Sequence, residues 1–262
     1  MGKTILFTAS NTAKESSFPF KARLQDLLRN ANEMKCLVGF FYFSGIKTLY
    51  DAIKSNPDLK LKILVGLEAE EHMGQIIEFA GKSNSDTTSS IEDYMASLKK
   101  VVSADCQDDK TFYERYSTFV QLLKENRLEI RKTREPNHAK MYLFSLKKDQ
   151  LYPNVWLMGS SNLTWKALEG QQELNVDLAQ LYQEDANAYF DELWEDSVEL
   201  TDEENKAKII HILENESVVA PVTPFEAYAK VLKTIAEKES VVDTTLEKRV
   251  ARILSEAGFD NF

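Results

Sequence analysis

Histidine and cysteine are both scarce in this 262-residue chain, three of one and two of the other. That scarcity removes several kinds of chemistry at once. Cys36 lies inside an apolar run and Cys106 in a polar segment; two cysteines without patterned spacing build neither a disulfide framework nor a zinc site. No second histidine or cysteine lies near His138, so a zinc centre there lacks ligands, and no metal or other cofactor is expected. A run of about 18 apolar residues is missing, as is a basic-then-apolar start. Neither a membrane span nor a secretion signal is therefore expected, and the cytoplasm is the expected location. No Gly-x-x-x-x-Gly-Lys-Ser/Thr run occurs, which excludes a nucleotide-driven motor within these residues. Positive charge is short too: 32 Lys and Arg face 42 Asp and Glu, for a net charge of −10. On its face that opposes a nucleic-acid partner, because such partners are held largely by neutralising phosphates.

What is present is enough apolar material for a core. The apolar fraction of 43% and charged fraction of 28% suit one large domain, or a domain with an appendage. The charge is segregated. Residues 124–149 carry eight basic and four acidic side chains, a local balance of +4, whereas residues 184–216 carry twelve acids against Lys206 and Lys208, a balance of −10. The acidity belongs to the C-terminal part, and a phosphate-bearing ligand remains permitted near the basic segment. The run from Arg127 to Arg134, with Lys132 and Arg134 as candidate substrate contacts, reads equally as a nucleic-acid surface or as a solvated edge strand.

Periodicity predicts an α/β chain. "FKARLQDLLRNANEM" has leucines at helical spacing, "KCLVGFFYF" reads as a strand, "IKTLYDAIKSN" as a helix and "LKLKILVGL" as a second strand, together a β–α–β unit with parallel strands. Residues 82–90 are a polar loop, and a helical insertion follows to about residue 125. "LEIRK", "HAKMYLFSL", "NVWLMGS" and "ELNVDLAQ" are further strand candidates. After residue 183 the pattern is helical, ending in "TPFEAYAKVLKTIAEK" and "TLEKRVARILSEAGF". The expected division is a catalytic domain over 1–182 and a helical extension over 183–262.

Within "NHAKMYLF", alternation puts His138, Lys140 and Tyr142 on one strand face and Ala139, Met141 and Leu143 on the other, expected to be the core. "GSSN", Gly159 to Asn162, follows the strand "NVWLM" and precedes the short helical "TWKALEG". There Ser160 and Asn162 can present a hydroxyl and an amide beside free helix N–H groups. In "QQELNVDL", Glu173, Asn175 and Asp177 form a polar face. Taken singly, each piece reads blandly: a solvated His-x-Lys, a turn, an exposed glutamate. Trp165 reads as core rather than as a stacking platform. Taken together, imidazole, ammonium, hydroxyl, amide and carboxylate suit phosphodiester cleavage without metal.

"HAK" followed by "GSSN" and then Glu173 resembles the HxK(x)4D(x)nGSxN signature of the phospholipase D superfamily, most closely its metal-independent bacterial nucleases and related restriction-enzyme domains. The resemblance spans roughly residues 20–180 in overall order, with residues 138–175 specific. It implies a phospholipase D-like mixed sheet flanked by helices, with a C-terminal helical extension. One departure stands out: the motif's aspartate falls at position 145, which is Ser145 here. The resemblance implies that His138 attacks phosphorus as a neutral imidazole oriented by Glu173, and that Lys140, Ser160 and Asn162 hold phosphoryl oxygens. A second histidine must protonate the leaving oxygen. Because His72 and His211 lack a lysine at the right spacing, two chains are expected to share one site about a twofold axis.

The C-terminal "VTPFEAYAKVL" and "ARILSEAGFDNF" resemble the connector that joins an N-terminal phospholipase D-like domain to an ATP-driven helicase. These residues are therefore expected to belong to a longer protein. The expected partners are nucleic acid, in the first instance DNA, a second copy of the chain and that helicase domain. A catalytically quiet DNA-binding or dimerisation module is the alternative. Phospholipid cleavage is disfavoured because nothing amphipathic marks a membrane-surface face.

Overall fold

Leu24, Leu27 and Leu28 recur at helical spacing, and helix α1 (Phe20–Asn30) buries all three together with Phe20, as an amphipathic surface helix should. In the computed structural model the chain becomes extended at Ala31 and runs straight into β2 (Ala31–Val38). The structure describes residues 5–9, 19–39, 43–72, 75–79, 110–148, 152–170 and 172–215, with a few positions between 91 and 98 and at 228 and 232. Cys106, the loop 82–90 and the two final helices expected from the sequence lie outside them, Tyr228 and Leu232 apart.

The β–α–β expectation is met. Helix α2 (Phe43–Lys54) leads from β2 to β3 (Lys60–Val65), and the two strands pair in parallel with Cys36 beside Ile63. A parallel neighbour requires a crossover connection, and the next one ends in α3 (Lys110–Lys124), which delivers β6 (Leu128–Lys132) parallel to β3. A separate hairpin, β4 (Glu68–His72) with β5 (Gln75–Phe79), interrupts that crossover. Beyond β6 the sheet becomes an antiparallel meander of β7 (Met141–Leu146), β8 (Asn154–Gly159) and β9 (Glu173–Ala179), closed at the outer edge by β1 (Ile5–Ala9). The mixed eight-stranded order is β1-β9-β8-β7-β2-β3-β6-β10, where β10 (Val198–Glu199) pairs with β6.

Both faces of the central strands are covered, so the expectation that β7 has one core face and one chemical face is corrected. Tyr142 and Phe144 join the core beneath α1, with Phe20 set edge-on to Tyr142 at 5.6 Å. Met141 and Leu143 pack on the other side against Ala186, Phe190 and Trp194 of α4 (Gln183–Glu195). The sheet side of that second layer carries cations. Lys35 reaches over the Phe190 ring and bonds Asp191, while Lys62 and Arg131 both sit over Trp194, Arg131 at 4.7 Å. Lys35 and Lys62 are direct neighbours across β2 and β3, so the aromatic faces and the carboxylate offset a like-charge pair.

Two compact units divide the chain. α4, β10 and α5 (Glu203–Asn215) all belong to the sheet's own unit, which runs from Met1 to Val219, with Ala220–Phe262 as a second unit. Phe190 and Trp194 close one face of the sheet, and Ile209, Ile212 and Leu213 join the core of the other. Among the described residues no helix is long and apolar enough to cross a membrane.

Candidate active site

Strand register brings most of the expected residues to one edge of the sheet. The N–H of Gly159 donates to Lys140 O at 3.2 Å, and Gly159 pairs with Asn175 on β9. Lys140, Gly159 and Asn175 therefore form one row across three adjacent strands. Adjacent strands lie about 4.8 Å apart, so the row spans roughly 10 Å. His138, Ser160, Asn162 and Glu173 lie just beyond it, at the same edge. The side chains of Lys140, Asn175 and Asp177 share the face of Tyr142, toward α1, as their registers require. Gly159 allows this closeness: a Cβ there would meet Asn175 Oδ1 and Leu174 O, each at 2.3 Å.

His138 and Lys140 precede β7 rather than lying within it, because β7 begins at Met141. His138 is exposed, whereas Lys140 is only 6% exposed and donates its ammonium to His138 O at 2.8 Å. A buried ammonium is costly unless it is bonded, and this bond also fixes the histidine's backbone. Ser160 Oγ donates to the Glu173 carboxylate and accepts from Leu174 N at 3.1 Å, which fastens the end of β8 to the start of β9.

Under this edge lies a polar joint that the sequence reading passed over. Ser161 and Asn175 are both fully buried. Asn175 Nδ2 donates to Ser161 Oγ at 2.8 Å, Asn175 Oδ1 accepts from Ser161 N at 3.4 Å, and Tyr142 OH donates to Ser161 O at 2.8 Å. Strands β7 and β9 thus hold the GSSN turn between them. Burial pushes the Tyr142 phenol well above its ordinary value, with the charges of Cys36 and Glu173 adding to the rise. The signal for Asn175 was present in the alternation of "ELNVDL", where it is the middle member of the polar face.

Asn162 caps the far side of the turn, its carbonyl accepting from Thr164 N at 2.9 Å. Thr164 Oγ1 in turn accepts from Ala167 N at 3.1 Å and starts the π-helical turn Lys166–Gly170. Trp165 is 50% exposed, which corrects the expectation that it is core. Its indole N–H donates to Glu169 at 2.9 Å, and Glu169 pairs with Lys21 of α1. Asp177 pairs with Arg23 of the same helix at 2.8 Å. Two cations in a first helical turn oppose the helix dipole, and these carboxylates offset them.

Lys132 and Arg134 do not join the group. Lys132 ends β6 and Arg134 follows it, three strands from β7 in the sheet order, roughly 14 Å away at the usual strand spacing. Arg134 pairs with Asp196 at 3.4 Å. Arg127 bonds Glu125, Leu59 O and Asn56 O, and Arg131 bonds Trp194 O and Glu199. The basic run thus serves internal contacts more than a phosphate track. Ser145 sits at the opposite end of β7 from His138, beside Glu33 and Asn154. At about 3.3 Å per residue it is some 23 Å from His138, so the departure from the motif falls well away from this edge. His211 is exposed on α5 and His72 ends β4. Among the described residues no group of three or more His, Cys, Asp or Glu is arranged to hold a metal ion.

Residues 24–194 match the family model described as "Cardiolipin synthase, PLD-like domain". The matched stretch contains every strand from β2 to β9 and ends in α4. No curated protein matches the sequence. Among solved structures, NucT from Helicobacter pylori is 16% identical over 75% of this chain and 98% of its own, with a TM-score of 0.42. Nuc from Salmonella typhimurium, a phospholipase D family member, is 11% identical over 75% of this chain and 98% of its own, with a TM-score of 0.39. Phosphatidylserine synthase from Haemophilus influenzae Rd KW20 is 12% identical over 90% of this chain and 46% of its own, with a TM-score of 0.47.

Proposed function

Because the chain belongs to the phospholipase D-like family, we propose that it is a metal-independent phosphodiesterase, and specifically a nuclease that works through a phosphohistidine at His138. The observation that carries this reading is the shared sheet edge. Register places Lys140 beside Gly159, and Glu173 holds Ser160 directly. A phosphodiester at this edge would meet an ammonium, a hydroxyl and an amide on the side where β7, β8 and β9 end together.

In the proposed reaction the neutral imidazole of His138 attacks phosphorus as the bond to the leaving oxygen breaks. Glu173 supports the imidazolium that forms, and Lys140, Ser160 and Asn162 stabilise the equatorial oxygens. The leaving alkoxide takes a proton from the His138 of a second copy. Water then attacks the phosphorus of the phosphohistidine, gives its proton to that second imidazole and frees His138. The single His-x-Lys of this chain supports a site shared between two copies. The resemblance of "VTPFEAYAKVL" and "ARILSEAGFDNF" to a helicase connector supports a nuclease attached to a DNA motor. Location in the cytoplasm and DNA as the polymer are parts of the same reading.

The test is hydrolysis of bis-p-nitrophenyl phosphate in excess EDTA by the wild type and by His138→Ala, with sedimentation of both preparations. Turnover that survives the chelator, disappears in the variant and accompanies a dimer is the expected result. A strictly monomeric active protein removes the shared site. Turnover in neither protein, with DNA still bound, leaves a quiet binding module.

A further inference from the structure

We propose that Asn137 is the positioning residue of His138, and that it draws its own position from Gly66 at the end of β3 and Tyr189 on α4. The proposal rests on the reading of His138 as nucleophile. The segment 133–140 must carry the chain from β6 past the ends of β3 and β2 to β7. An exposed loop of that kind would leave a catalytic side chain poorly placed. Here it is tied down along its length. Thr133 N donates to Val65 O at 2.9 Å, and Thr133 Oγ1 donates to Glu135 O at 2.6 Å.

Asn137 makes the decisive contacts, through its backbone N–H and both polar atoms of its side chain. Its backbone N–H donates to Gly66 O at 2.8 Å, and its Oδ1 accepts from Ala139 N at 2.9 Å. The second bond is an Asx turn, and it spans His138. Its Nδ2 donates to the Tyr189 hydroxyl at 3.0 Å. Gly66 is required for the approach, since a Cβ at that position would lie 1.9 Å from Asn137 O. With Lys140 bonded to His138 O at 2.8 Å, the backbone of an exposed histidine is held from both sides.

Asparagine suits this position because it both accepts and donates. Aspartate would keep the turn across His138 and lose the donor to Tyr189; alanine would lose both. Tyr189 is 46% exposed on α4, the helix whose Phe190 and Trp194 are buried against the sheet. The clamp therefore refers the histidine's position to a helix anchored in the core, not to the loop itself. In-line attack depends on the direction of the imidazole lone pair, and a displacement of about 1 Å costs on the order of 10²-fold in rate.

The experiment compares wild type with Asn137→Ala, Asn137→Asp and Tyr189→Phe on bis-p-nitrophenyl phosphate, with His138→Ala as the baseline. Alongside, it follows amide exchange at Ala139 and Lys140 and records thermal midpoints. The expected result is kcat lowered roughly 30- to 100-fold in Asn137→Ala with KM within about twofold. Asn137→Asp should retain more activity than Asn137→Ala, Tyr189→Phe should lose the least, and the Ala139 amide should exchange faster in Asn137→Ala. Wild-type kcat and protection in Asn137→Ala overturn the proposal, as does a loss fully accounted for by a lowered midpoint. If the wild type itself turns nothing over, the nuclease reading fails. Amide exchange then still decides the clamp: lost protection at Ala139 upholds it, and unchanged protection overturns it.

Discussion

Replacing Asn175 with alanine tests the polar joint under the sheet edge. The side chain is 0% exposed, and so is Ser161, its partner. Truncation removes the 2.8 Å bond to Ser161 Oγ and the acceptor, at 3.4 Å, of Ser161 N. Ser161 Oγ keeps Ala167 O at 3.4 Å, so the hydroxyl is not stranded. The Ser161 N–H is. An orphaned buried donor costs about 1–3 kcal/mol and the lost hydrogen bond about 0.5–1.5 kcal/mol, so a total of roughly 2–4 kcal/mol is expected. For a unit of this size each kcal/mol lowers the midpoint by about 2–4 °C. Calorimetry should therefore show Asn175→Ala melting about 5–15 °C below wild type. The reasoning also fixes a recovery: Ser161→Ala with Asn175→Leu removes more polar atoms yet should destabilise less than expected from the two single changes, with coupling of about 1 kcal/mol or more. A midpoint within about 2 °C of wild type for Asn175→Ala, or strict additivity in the double variant, would show that the buried amide contributes nothing to the turn.

Two further outcomes follow from the core. Burial raises the Tyr142 and Tyr94 phenols above their ordinary value of 10.0 and the Cys36 thiol above 9.0. In each case the unfolded chain gives up its proton first, so stability is full below about pH 9 and falls as pH rises beyond it. Thermal melts between pH 7 and pH 11 should show a flat midpoint and then a decline that is shallower in Tyr142→Phe; equal midpoints at the two extremes would contradict this. Trp194→Ala removes the ring beneath Arg131 and Lys62 and beside Phe190, which should cost about 3–5 kcal/mol. Denaturant unfolding measures that loss, and a change under about 1 kcal/mol would mean that the cations over that ring do not depend on it.

Much of the sheet was legible because its strands differ in kind. "LEIRK" coincides with β6, and β8 and β9 differ from their expected limits by one residue. Short apolar runs bounded by turn residues leave little choice of boundary. Residues 138–140 were drawn into β7 by the alternation of their side chains. Alternation reports extended backbone, but the Asn137 turn interrupts it across His138 and the ladder begins only at Met141. β1 and β10 were not legible: a five-residue strand at the edge and a two-residue bridge carry too little pattern to separate from loop. The polar side chains of the motif were visible as residues, whereas their supports were not. Asn175 could be read off the polar face of β9, but the Tyr189 contact to Asn137 joins positions 52 apart and depends on how α4 crosses the sheet. Lys132 and Arg134 show the converse limit, since a charge run in sequence says nothing of where in the strand order the fold will set it.

The two glycines at this edge bear on how the site could change over generations. At Gly66 the obstruction to a side chain comes from the main-chain carbonyl of Asn137, and at Gly159 from that of Leu174 together with Asn175 Oδ1. The outline of this sheet edge is thus drawn largely by peptide groups, which are the same whatever side chains are attached. Substitution at His138 or Glu173 could abolish turnover while leaving that outline intact. On the proposed reading of this edge, a lineage built on the scaffold can pass from cutting a phosphodiester to merely gripping one, and back, by exchanging one or two side chains without having to refold.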